Sequence, residues 1–142
     1  MRYIILYRTH GNYFIPATAL VALSLSTVIL GNVSPAQGLA IKASIVPGAI
    51  TMGDKAYTPN PIDIKIGDTV TWTNNDNIFH TVTSGLGSDD TNSGKEFDSG
   101  LSGPTALITQ GKTFSHTFAT GGDFQYFCQL HPTMIGKVVV TK

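Results

Sequence analysis

The 142-residue chain has one cysteine, one tryptophan and one glutamate, and its only two arginines are Arg2 and Arg8. A single cysteine excludes an internal disulfide. Without arginine beyond residue 8 there is no basic stripe to track a phosphate backbone, so nucleic acid is not an expected partner. Charged residues make up 13% of the chain, and no carboxylate run is dense enough for a strong steering field. P-loop, dinucleotide-glycine and G-x-S-x-G motifs are all missing, which removes the nucleotide and hydrolytic chemistries they serve. Beyond the first forty residues no segment keeps a helical period, and no apolar run is long enough to span a bilayer.

The first forty residues differ in kind. Arg2 and Arg8 precede an uncharged apolar stretch over residues 14–30, then small residues at Ser34-Pro35-Ala36 and Gly38-Leu39-Ala40. That order predicts a secretory signal peptide over residues 1–38. The competing reading is an uncleaved membrane anchor. The apolar run has 17 residues and contains Pro16, Thr18, Ser24, Ser26 and Thr27, which is short and polar for a span needing about 20. Either way the remainder lies outside the cytoplasm, periplasmic or extracellular, with an N-terminal anchor on the outer side as the alternative to cleavage. It is one small domain, residues 41–142, with seven lysines against nine carboxylates.

That domain reads as all-β. Ile62, Ile64 and Ile66 alternate with Asp63 and Lys65, Gly67-Asp68 turns the chain, and Val70 and Trp72 alternate with threonines. Phe114, His116 and Phe118 alternate with Thr113, Ser115 and Thr117, and residues 124–127 and 137–141 give two more short runs. Such spacing predicts a sandwich or a barrel. Pro59 and Pro61 mark a loop, and residues 84–100, SGLGSDDTNSGKEFDSG, predict a long exposed one.

The chemistry collects at residues 126–134, YFCQLHPTM. Taken singly, Cys128 reads as a small buried apolar residue, His131 as a surface residue and Met134 as core filler. Taken together they read differently, because a lone exported thiol is oxidised unless it is buried or committed to a metal. Thiolate, imidazole and thioether suit copper in both its oxidation states, and a His₂Cys set with a weak axial Met is the blue-copper arrangement. Cys128, His131 and Met134 can reach one metal from one tight loop. His80, just past the Val70–Trp72 strand, is the best candidate for the second imidazole.

The stretches YTPNPIDIKIGDTVTWTNND, HTVTSG, FDSGL, GKTFSHTF and FQYFCQLHPTMIGKVVV resemble the plastocyanin/azurin family of cupredoxins, the small blue copper proteins, over most of the chain from about Ser44. The resemblance implies a Greek-key β-sandwich and one type 1 copper on His80, Cys128, His131 and, axially, Met134. The ligand loop is similar to amicyanin's short one and shares its His-Pro step, His131-Pro132. Thr81 stands where plastocyanins and amicyanins typically carry an asparagine bracing the ligand loop. Leu130 replaces the proline often found before the second histidine, and the acidic docking patch of plant plastocyanins is missing.

The function so implied is not enzymatic. It is one-electron shuttling between larger extracytoplasmic redox proteins, met in transient encounters through the edge of His131, with Pro132 and Ile135 as an apolar docking patch. The alternatives are a small copper enzyme acting at an open axial position, and copper storage or delivery. Of the other histidines, His10 falls in the leader, and His116 is expected to be packed and hydrogen-bonded rather than a ligand. Asp89, Asp90, Glu96 and Asp98 miss the calcium-loop pattern and read as a solvated loop.

Overall fold

The computed structural model describes residues 38–101 and 106–142. The leader expected over residues 1–38, with His10, lies outside them except for Gly38. No helix among the described residues is long and apolar enough to cross a membrane.

Among the described residues eight strands form two sheets: β1 (Ala40–Ile45), β2 (Tyr57–Thr58), β3 (Ile62–Lys65), β4 (Thr69–Asn74), β5 (Thr83–Ser84), β6 (Thr113–Thr117), β7 (Gly122–Phe127) and β8 (Ile135–Thr141). One sheet has the order β2-β1-β4-β6 and the other β3-β8-β7-β5. β1 runs parallel to β4 and β3 parallel to β8, while the other pairs are antiparallel. Because the chain keeps switching sheets, the connections are of Greek-key type, as expected.

Alternation explains the layering. Val70, Trp72 and Asn74 of β4 point inward, and Ile62, Ile64, Val138 and Val140 meet them from the opposite sheet. Burying such a side chain contributes roughly 1.5–3 kcal/mol. Trp72 sits at the centre, 5.4 Å from the Tyr126 ring edge-on, and its Nε1–H donates to the Tyr126 hydroxyl at 3.2 Å. That bond satisfies the one polar atom of a buried indole and ties the sheets together. Gly136 has no alternative there, since a Cβ at this position would enter the Tyr126 ring.

Two expectations need correction. Residues 84–100 are not wholly a solvated loop: Phe97 is buried, stacks on Trp72 at 5.7 Å and on Phe118 edge-on at 5.6 Å, while Ser84 and Ser99 are buried beside it. Glycines and hydroxyl residues on both sides hid a core residue. His116 is packed as expected, 4.7 Å from Phe118 and 5.0 Å from Phe97, but its Nε2 finds no hydrogen-bond partner. Glu96 stays 3.9 Å away.

Candidate metal centre

The β7–β8 connection builds half of the site. β7 ends at Phe127 and Cys128 follows directly. The His131 N–H donates to the Cys128 carbonyl at 3.2 Å and the Met134 N–H to the His131 carbonyl at 2.9 Å. These are two successive three-residue turns, and side chains three apart eclipse one another in such turns. The Cys-x₂-His-x₂-Met spacing is therefore the period of the backbone itself. The Cys128 N–H closes the loop onto the Met134 carbonyl at 3.1 Å, continuing the β7–β8 ladder.

The other half comes from the segment after β4. His80 is pinned by a two-bond bridge to Ile108. Asn74 holds the approach, its amide donating to the Ile78 and Ile108 carbonyls at 2.7 Å each. The Thr81 N–H donates to Cys128 Sγ at 3.3 Å, and the Tyr57 hydroxyl donates to the Thr81 carbonyl at 2.8 Å.

These segments bring His80, Cys128 and His131 together with one donor atom each, all within 4.8 Å of one another. Sγ lies 3.8 Å from His80 Nδ1 and 3.6 Å from His131 Nδ1. Cys128, His80 and Met134 are fully buried and His131 is half-buried. Thr81 does act on the ligand loop, its hydroxyl oxygen accepting the Gln129 N–H at 2.8 Å. Pro132 and Ile135 are exposed beside His131. His116 stands apart from the group, in β6.

Electrostatics favour a ligand thiolate. Burial pushes the Cys128 thiol up, but hydrogen bonds from His80, the Thr81 N–H, His131 and the Leu130 N–H outweigh it and hold the pKa down at about 6, against an ordinary 9.0. At neutral pH the thiolate is available without an external base. Burial pulls His80 down, and its bonds to Cys128 and Asp76 raise it by more. One thiolate and two imidazoles at this spacing fit a soft, trigonal, redox-active ion better than a hard cation.

Residues 46–141 match the family described as copper binding proteins, plastocyanin/azurin family. The chain belongs to the plastocyanin/azurin family. Its cupredoxin relatives include the chloroplastic plastocyanin of Tetradesmus obliquus, 31% identical over 88% of this chain and 92% of that one. Another is the amicyanin of Paracoccus denitrificans, 32% identical over 75% of this chain and 76% of its own. Among solved structures, a novel purple cupredoxin from Nitrosopumilus maritimus aligns with a TM-score of 0.58 and 30% identity, covering 71% of this chain and 99% of that one. This cupredoxin is therefore an electron-transfer copper protein and not an enzyme, and the His80, Cys128 and His131 group fits its one type 1 copper.

Reading the sequence did not single out Asp76, Asn74, Gln129 or Thr83, and it assigned Asp98 only to a solvated loop. The Gln129 side chain donates to Thr83 Oγ1 at 2.9 Å and to Asp98 Oδ1 at 3.0 Å, fastening the residue after the cysteine to β5 and to residue 98. Asp76 accepts from His80 at 2.9 Å. The available signals were adjacency to Cys128 for Gln129 and a four-residue offset from His80 for Asp76.

Proposed function

We propose that His80, Cys128 and His131 hold one copper ion, that Met134 closes the site as a weak axial ligand, and that the chain passes single electrons between larger redox proteins outside the cytoplasm. The observation that carries this reading is the convergence of two imidazoles and a thiolate from two distant segments. Copper supplies the one-electron Cu(I)/Cu(II) couple. The chain's part is to keep donor positions fixed in both states. The bridge at Ile108, the double turn of the ligand loop and the Gln129 fastening all serve that end.

The half-buried His131 is the one donor near solvent, and Leu130, Pro132 and Ile135 around it are exposed. Leu86, with 72% of its surface exposed, lines a depression together with Pro132. An apolar surface of this kind supports brief encounters of small area with partner proteins. The burial of Met134 supports a closed site over an open catalytic one. A leader over residues 1–38 fits export to the periplasm or beyond, either cleaved or kept as an anchor.

The test is the visible spectrum of the copper-loaded domain. The wild type should show an intense thiolate-to-Cu(II) band that Cys128→Ser abolishes, while Met134→Leu keeps it and raises the reduction potential by about 59 mV, a tenfold change in a one-electron equilibrium. A colourless wild type that prefers zinc would overturn the reading.

A further inference from the structure

The copper reading gives His116 no part. Its ring, on β6, is wedged between Phe97, 5.0 Å away, and Phe118, edge-on at 4.7 Å. The side chain as a whole is 23% exposed, yet Nε2 is out of reach of solvent and has no hydrogen-bond partner among the described residues. Such unpaired buried atoms are rare in folded proteins.

The surroundings suit only the neutral ring. Val70, the cross-strand partner on β4, is apolar, as are both phenyl rings. Glu96 Oε1 lies 3.9 Å from Nε2, too far for a hydrogen bond. That side chain is 44% exposed, so solvent screens much of its pull. Burial outweighs it and holds the His116 pKa below the ordinary 6.5. Neither β4 nor the Phe118 segment brings a second charged group to act on the ring.

The ring also bears on residues 96–99. Phe97 packs on both His116 and Trp72, and its carbonyl accepts the Ser84 N–H at 2.9 Å. The Ser99 N–H donates to the Val82 carbonyl at 3.0 Å, and Asp98 accepts from Thr83 Oγ1 at 2.8 Å. Glu96, Phe97 and His116 thus form one joint between this stretch and β6.

We propose that His116 is an acid-sensitive latch: taking up a proton from solvent, its ring drives residues 96–99 off β6 and opens that side of the sandwich. The inference stands apart from the copper reading. Protonation would force a charge and an N–H without an acceptor into an apolar pocket. Turning the ring out to solvent relieves both, and Phe97 then loses a surface on which it packs. Because the folded-state pKa lies below 6.5, the latch holds fully above 6.5, weakens as pH falls below it, and stops weakening once pH is under the folded value.

Amide hydrogen exchange of the full chain tests this, read at the Ser84 and Ser99 N–H groups and corrected for the intrinsic pH dependence. From about pH 8 to about pH 5, protection should fall about threefold or more in the wild type. In His116→Phe and His116→Gln it should hold steady, since neither new side chain takes up a proton. Changes at the metal-site histidines are common to all three proteins and cancel. A wild type whose protection does not change overturns the proposal, and so do variants that lose protection as the wild type does. Should the variants fold poorly, the wild type alone decides. Its His116 ring, followed by proton NMR, should titrate below 6.5, and titration at or above 6.5 would overturn the latch.

Discussion

Cys128 shows how far single residues announce their role. Its type, its isolation in the chain and its three-residue spacing to His131 and Met134 were legible because each carries chemistry that few other residues can supply. The residues that tune it were not. Asp76, Gln129, Thr83 and Asp98 are polar residues in polar stretches, and only folding turns them into a network around the ligands. A lowered thiol pKa is the measurable trace of that network. In metal-free protein, thiolate absorbance in the ultraviolet should grow in around pH 6 rather than near 9.0. The sign follows from linkage: a depressed folded-state pKa gives a stabilising contribution that is complete above the unfolded value and is lost as pH falls through about 6. A thiol titrating only near its ordinary value would contradict the hydrogen-bond geometry at Sγ.

At the scale of elements, alternation revealed β3, β4 and β6, because one face of each strand is consistently less exposed than the other. It missed β1, Ala40–Ile45, whose inward residues Ala43 and Ile45 are split by small and polar neighbours and follow the apolar leader without a break. It also missed Phe97, since one aromatic residue inside a glycine- and serine-rich stretch makes no period. The structure makes that residue part of the core, stacked on Trp72 and edge-on to Phe118. Phe97→Ala should therefore cost about 3–5 kcal/mol in urea unfolding of the copper-free domain. A cost under 1 kcal/mol would return residues 84–100 to the status of a solvated loop.

For the whole molecule, the number and spacing of strands predicted a sandwich or a barrel and the family resemblance implied the sandwich, but the parallel pairings of β1 with β4 and β3 with β8 join segments far apart in the chain and leave no local signal. Those pairings also bear on processing. The Leu39 N–H donates to Asp68 Oδ1 and its carbonyl accepts the Thr69 N–H at 2.8 Å, so residue 39 is already built into the sandwich. Should the proposed leader be cleaved, a cut after Ala36 keeps these bonds, and mass spectrometry of the mature protein should find an N-terminus before Leu39; one after Ala40 would mean that β1 is trimmed. The two sheets meet at a site drawing His80 from beyond β4 and Cys128 from the end of β7, and as proposed this frame holds one unchanging donor set. X-ray absorption of the copper-loaded protein, oxidised and then reduced, tests it most directly. One short copper–sulfur and two copper–nitrogen distances should be found, and they should barely move on reduction. A shell without short sulfur, or one that rearranges between the two states, would contradict it.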